Sequence, residues 1–175
     1  MPKVDKPKRF VLTGTSGTGK STLIDGLRGL GYNCFEEPGR KVLNYGSDAA
    51  KREPDPFIEE MLAQSLSDYR EANQLTFYDR GLPDIVAYAD RFKVASDECL
   101  RAAQLNRYEE TVFVAPPWKE IFVNDEVRTA TFDVYLQFHE SILKIYAKLK
   151  YSVCVLPKVS VSERIQFIES ATVGI

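Results

Sequence analysis

The sequence predicts an α/β domain whose parallel sheet carries helices on both faces and is organised around a phosphate-binding loop. Three observations lead there. Gly14-Thr15-Ser16-Gly17-Thr18-Gly19-Lys20-Ser21 fits the pattern G-x-x-x-x-G-K-[ST] at each fixed position. Apolar strand-like runs alternate with segments of helical period along the chain, the order that sets parallel strands side by side beneath crossover helices. The 175 residues, 44% of them hydrophobic, suffice for one substantial core and not for two. Residues 1–175 are therefore expected to form one nucleotide-binding domain.

The loop carries most of the chemistry. Its glycines let the backbone curl until successive N–H groups face phosphate oxygens, and the helix behind it offers a positive end. Lys20 is expected to reach the β and γ phosphates, Ser21 to place a hydroxyl on a magnesium ion, and Thr22 to continue the helix start. The flanks agree with this. Arg9 to Thr13 is a short apolar strand entering the loop, and Leu23, Ile24, Leu27 and Leu30 form a helical stripe that stops at Gly31.

The remaining elements follow in order. Met1 to Lys8 reads as a polar lead-in. Tyr32 to Glu36 reads as a second strand broken by Pro38-Gly39, with Glu37 at its carboxyl end. Asp55-Pro56 opens a long helix that runs to about Asn73. Leu75 to Tyr78 is a third strand that delivers Asp79 and Arg80 at its end, ahead of Gly81 and another Pro-Asp helix start. Ser96 caps a helix reaching Leu105, and Thr111 to Ala115 is a strand stopped by Pro116-Pro117. The stretch from about 117 to 131 has no clean period and reads as a lid-like segment. Phe132 to Lys150 is helical, with Tyr135, Phe138, Ile142, Leu143, Tyr146 and Leu149 on one stripe, and Ser152 to Leu156 is a fifth strand. Ser160 and Glu163 form a capping box for a last helix that docks Ile165, Phe167 and Ile168 on the sheet.

Composition narrows the partners. A formal net charge of −2 provides no basic footprint for polymer DNA or RNA. No apolar run is long enough to span a bilayer, so the expected location is the cytoplasm, away from membranes. Cys34, Cys99 and Cys154 lack C-x-x-C spacing and read as reduced packing residues, not as a zinc site. Nothing in the composition addresses the oligomeric state.

In open α/β sheets ligands bind beyond the carboxyl ends of the strands, which puts Glu37 and Asp79 on one rim with the loop. A strand-end carboxylate can hold magnesium through water, and a neighbouring guanidinium can bind phosphate or orient an acceptor. Asp79 followed by Arg80 thus suits transfer to a bound molecule better than water activation, for which a second acid would be expected. Two carboxylates would then divide the labour, Glu37 accepting a proton from a hydroxyl and Asp79 managing the metal. Glu36 remains the competing base. Asp84 either binds acceptor hydroxyls or serves as the N-cap of its helix, and Arg128 is either a lid arginine over the γ-phosphate or a solvated one. Trp118 either stacks on a base or packs against the domain, and His139, the only histidine, reads as a packed or surface residue.

Taken together, Gly14 to Ser21, Glu37-Pro38-Gly39-Arg40, Tyr78-Asp79-Arg80-Gly81-Leu82-Pro83-Asp84 and Val123-Asn124-Asp125-Glu126-Val127-Arg128 resemble the small "predicted ATPase" P-loop family. That family carries an AAA label and is related to nicotinamide riboside kinase, and the resemblance covers nearly the whole chain. It implies the P-loop NTPase fold as nucleoside and nucleotide kinases have it, a five-stranded parallel sheet in the order 2-3-1-4-5 with helices on both faces. Glu37-Pro38 resembles the second-strand Glu-Pro of deoxynucleoside kinases, in which the acid is the base. Asp79-Arg80-Gly81 resembles their Glu/Asp-Arg-Ser, with Gly81 in place of serine.

The expected activity is transfer of the γ-phosphate of ATP, with Mg²⁺, to a hydroxyl of a nucleoside-like or other small molecule. Lys20, Glu37, Asp79, Arg80 and Arg128 are the expected catalytic residues, residues 14–22 bind the nucleotide, and Ser21 and Asp79 face the metal. Glu37, Arg40, Arg80 and Asp84 are expected at the acceptor. The competing function is a regulatory switch or slow NTPase that acts through a protein partner. The absence of an Asn/Thr-Lys-x-Asp stretch favours ATP over GTP.

Overall fold

A computed structural model describes residues 6–122 and 131–173. Its elements run β1 (Arg9–Thr13), α1 (Lys20–Gly29), β2 (Asn33–Phe35), α2 (Pro38–Tyr45), α3 (Pro54–Glu71), β3 (Thr76–Asp79) and α4 (Leu82–Phe92). They continue with α5 (Asp97–Leu105), β4 (Thr111–Val114), a 3-10 turn at Lys119–Ile121, α6 (Phe132–Lys148), β5 (Ser152–Val155) and α7 (Val161–Val173). The strands form one parallel sheet in the order β2-β3-β1-β4-β5, as the family resemblance implied.

Alternation along each strand builds two apolar layers, because successive side chains leave a sheet on opposite faces. Phe10, Leu12, Phe77 and Phe113 pack beneath α1 and α7 with Leu23, Ile24, Leu27, Ile165 and Ile168. Val11, Tyr78, Val112 and Val114 face the other way, onto a layer that includes Ile58 and Met61 of α3, Ile85 of α4 and Ile142 of α6. Of the residues expected to dock from the last helix, Ile165 and Ile168 are buried and Phe167 is not. Leu30 belongs to the α1 cap and is exposed.

At two prolines the chain departs from the sequence reading for a shared reason. Pro38-Gly39 was expected to break the second strand; instead Pro38 occupies the first turn of α2, with Glu37 as its N-cap. Likewise α3 starts at Pro54 with Glu53 as N-cap, not at Pro56 after Asp55. Proline fits the first turn of a helix because the N–H it lacks would have no partner there. It therefore signals a helix start as readily as a break. The capping box of α7 forms as expected, Glu163 N donating to Ser160 Oγ at 3.3 Å and Ser160 N to Glu163 Oε2 at 3.1 Å.

Register brings the site together. Leu12 lies opposite Asp79 and Phe35 opposite Tyr78, so the loop that follows Thr13 emerges beside the ends of β3 and β2.

Candidate active site at the phosphate loop

The loop is shaped by close approach. Gly14 sits at φ +132°, and a Cβ there would lie 2.3 Å from the Ala115 carbonyl oxygen, so no other residue fits where β1 passes β4. Thr18 Oγ1 donates to the Thr15 carbonyl at 2.9 Å, and Lys20 Nζ donates to the same oxygen at 2.7 Å. The loop thus curls around its own lysine, which is buried. Burial, with Arg80 nearby, lowers the Lys20 pKa from 10.5 to about 8, although Asp79, Glu37 and Asp84 oppose the change.

On the β3 side Arg80 organises the rim. Its backbone sits at φ +73°, a left-handed conformation uncommon outside glycine, held by its N–H to the Leu12 carbonyl at 2.9 Å. From there the buried guanidinium donates through Nη1 to Gly14 O at 2.7 Å and through Nε to Glu37 Oε1 at 2.9 Å. Its carbon lies 5.2 Å from the centre of the Tyr88 ring. Burial alone would raise the Glu37 pKa, but Arg80 and Lys20 outweigh it and hold the carboxyl below its ordinary value. For Asp79 burial prevails, aided by Glu37 and opposed by Lys20 and Arg80, and its pKa is raised.

Geometry separates the two glutamates left open by the sequence. Glu36 is exposed, and its cationic neighbour is Arg28, 3.6 Å away. Glu37 turns inward to Arg80 from the start of α2, not from the end of β2. The two glutamates, with Ser21, Ile24, Asp25, Arg40 and Asp79, line a small cleft of about 70 Å³. Arg40 itself is exposed.

Asp84 has no exposed surface. Its Oδ1 accepts from Thr13 Oγ1, and its Oδ2 accepts from the Gly81 N–H at 2.9 Å and from the Tyr146 hydroxyl at 2.6 Å. It lies at the third position of α4, with Gly81 as the cap, so it is not the N-cap itself. This carboxylate ties β1, α4 and α6 together beneath the rim. Gly81 is small for a steric reason, since a Cβ would lie 3.0 Å from Tyr108 Cε2 and 3.0 Å from Val11 Cγ2.

On the opposite side of the loop stands a residue that sequence reasoning missed. Arg164 of α7 is 2% exposed, and its Nη2 donates to the Thr18 carbonyl at 3.1 Å. Its guanidinium carbon lies 5.9 Å from the centre of the ring of Trp118, which is half-buried, so the tryptophan packs against this arginine. Tyr88 and Tyr146 also escaped the sequence reading as site residues, having been read at most as members of apolar stripes. Arg128 and residues 123–130 of the lid-like segment lie outside the described residues. His139 is half-buried on α6, with Nδ1 lacking a hydrogen-bond partner among the described residues.

The residues fit a magnesium ion that arrives with a nucleotide. Ser21 Oγ lies 3.2 Å from Asp79 Oδ2, while Asp79 Oδ1 is buried without a hydrogen-bond partner. That is a hard oxygen pair with spare acceptor capacity, as magnesium requires when it keeps water and phosphate as its other ligands. Among the described residues no group of three His, Cys, Asp or Glu side chains forms a metal cage.

Comparison with known proteins gives the family and the fold. A family model described as AAA domain matches residues 9–164. No curated protein matches the sequence. Among solved structures, the NadR protein in complex with NR superposes with a TM-score of 0.73 at 20% identity, over 97% of this chain and 50% of that one. Deoxyadenosine kinase from M. mycoides gives 0.68 at 16% identity, over 95% of this chain and 100% of the other. Shikimate kinase from Aquifex aeolicus gives 0.61 at 17% identity, over 95% and 96% of the two chains. At these identities the likeness is one of fold, that of the P-loop kinases. No helix among the described residues is long and apolar enough to cross a membrane.

Proposed function

This chain belongs to the AAA-domain family, and on that premise we propose that it transfers the γ-phosphate of Mg-ATP to a hydroxyl of a nucleoside-like or other small molecule. The observation that carries this reading is the bridge made by Arg80, whose one guanidinium joins the phosphate loop at Gly14 O to the Glu37 carboxylate. A base is thereby held at a fixed place beside the loop. Two fold neighbours, a deoxyadenosine kinase and NadR in complex with NR, favour a nucleoside-like acceptor.

In this mechanism the acceptor hydroxyl loses its proton to Glu37 as its oxygen bonds to the γ-phosphorus. The bond from that phosphorus to the bridging oxygen breaks, and ADP leaves with the electron pair. The loose transition state asks for little basicity, so a carboxylate of lowered pKa suffices, and its negative charge is retained at neutral pH. Lys20 holds the β and γ phosphates. Arg80 Nη2, buried without a partner, is free to donate to the transferring group. Magnesium, when bound, neutralises charge on the β and γ oxygens.

The test is turnover of labelled ATP against a panel of small hydroxyl compounds. The right acceptor should raise turnover by orders of magnitude and carry the label away. Lys20→Ala should remove Mg-ATP binding without unfolding the protein. Hydrolysis at about 1 per second or faster without acceptor, a rate typical of working enzymes, would contradict the reading, as would stimulation by a protein partner alone.

A further inference from the structure

Arg164 is a buried charge that no carboxylate among the described residues absorbs. Salt bridges in the protein pair Arg80 with Glu37 and Asp84, and Lys41 with Asp68. Arg164 is as deeply buried as Arg80, yet among the described residues no carboxylate pairs with it, and its Nε has no hydrogen-bond partner. A buried cation without an anion is costly to the fold and is expected where a ligand supplies the missing charge. The place supports this. Arg164 Nη2 holds the carbonyl of Thr18 inside the phosphate loop, and a Cβ on Gly19 would come 3.1 Å from Arg164 Nη1.

The peptide joining Thr18 to Gly19 is a rigid plane with C=O and N–H on opposite sides. Fixing the Thr18 oxygen toward α7 turns the Gly19 N–H away from α7. Gly19 adopts φ +81°, and without that restraint a glycine peptide can flip at little cost. We propose that Arg164 is a positioning residue for nucleotide binding, which clamps the Thr18–Gly19 peptide from behind and supplies positive charge that a bound polyphosphate compensates. The inference rests on the phosphotransferase reading of the loop, and it assigns the last helix a part in that site.

The test compares wild type, Arg164→Ala and Arg164→Lys by calorimetric titration with two probes, Mg-ATP and inorganic triphosphate, at fixed ionic strength. Losing a charge-assisted hydrogen bond to the loop should weaken both probes in Arg164→Ala by about 10- to 100-fold. The two losses should be similar, because the clamp acts on the phosphate cradle and not on the base. Added methylguanidinium should restore part of the triphosphate affinity in Arg164→Ala, which a merely structural defect would not allow. Arg164→Lys keeps the charge without the planar fork and should lose affinity severalfold. It also serves as the decisive variant if Arg164→Ala does not fold.

A folded variant that melts at lower temperature but binds both probes within twofold of wild type would overturn the proposal. Loss of ATP affinity with triphosphate affinity intact would do the same, by moving Arg164 to the base end beside Trp118. Wild-type protein that binds neither probe would remove the phosphotransferase reading together with the clamp. Normal wild-type binding with unaffected variants would remove the clamp alone.

Discussion

Arg80 and Arg164 both hold the phosphate loop by its own carbonyl oxygens, one at Gly14 and the other at Thr18, yet their charges are balanced in opposite ways. Arg80 lies between Glu37 and Asp84 and over Tyr88, so its charge is absorbed by the protein before any ligand arrives. Among the described residues Arg164 has one carbonyl and the face of Trp118. The difference separates a wall whose cation is paired with the chain's own carboxylates from a wall whose cation a polyphosphate would balance. It also implies that substitutions on the two sides fail differently, through folding on the Arg80 side and through binding on the Arg164 side.

Arg80→Ala is the strongest way to break this comparison. Removing the cation leaves Glu37 and Asp84 without their counter-charge, one largely and the other wholly buried, a kind of change that costs about 3–5 kcal/mol. Arg164→Ala removes one hydrogen bond to a neutral acceptor and a cation that no carboxylate among the described residues balances, and should cost about 1 kcal/mol or less. Urea denaturation of both variants without nucleotide measures the two. If Arg164→Ala costs as much as Arg80→Ala, the contrast between the two sides is wrong.

On the Arg80 side, Glu37 should separate catalysis from binding. Glu37→Gln keeps the shape, and its amide oxygen can still accept from Arg80 Nε. Mg-ATP affinity should then stay close to that of wild type while transfer to the acceptor falls about 10²- to 10⁴-fold, as expected on loss of a general base. Single-turnover kinetics beside calorimetry would show it. A parallel fall in both quantities would make Glu37 a structural partner of Arg80.

The same contrast explains what could be read from the sequence. The loop was legible because its eight residues are contiguous, and Arg80 because it follows Asp79 at the end of an apolar run. Arg164 lies 146 residues from Thr18, whose carbonyl it holds, inside a helix that the sequence marks only by its cap and apolar positions. Neither period nor motif distinguishes it from a solvated arginine; the signal lies in packing between α1 and α7. Asp84 was legible as a helix-start acid but not as a buried tie to Thr13 and Tyr146, because those partners come from distant segments. Short α2 was hidden because a Pro-Gly pair reads equally well as a turn.

A smaller effect is expected where this chain departs from the deoxynucleoside kinase pattern it resembles. Gly81→Ser restores the serine of that pattern but sets a Cβ 3.0 Å from Tyr108 Cε2 and Val11 Cγ2, beside the Tyr146 hydroxyl that bonds Asp84. Overpacking of this kind costs about 1–3 kcal/mol. Thermal melts should show the loss. No loss would mean that the tyrosines have room to yield, and that the glycine is not there to avoid them.

The finest distinction comes from acid. Glu37 has a folded pKa below its ordinary 4.5, since Arg80 and Lys20 outweigh the opposing effect of burial. The unfolded chain therefore takes up a proton at Glu37 before the folded one does as pH falls. The stabilisation from the ionised carboxylate is fully present above the unfolded value and is lost progressively through the window between the two pKa values. Asp79 and Asp68, whose folded values are raised, push the other way over their own windows. Acid melting of wild type alone therefore mixes opposite trends. Because Glu37 itself raises the Asp79 pKa, wild type and Glu37→Gln are compared in an Asp79→Asn background, where the difference in melting temperature cancels the other shared groups. It should be constant from neutral pH down to about the ordinary glutamate value and shrink below it. Arg164→Ala provides the control for the other wall. Because Arg164 is unpaired with any carboxylate among the described residues, its difference from wild type should stay flat across the same range. A wild-type minus Glu37→Gln difference that grows as pH falls below that value would mean that the ionised Glu37 is a burden to the fold, and that Arg80 does not compensate it.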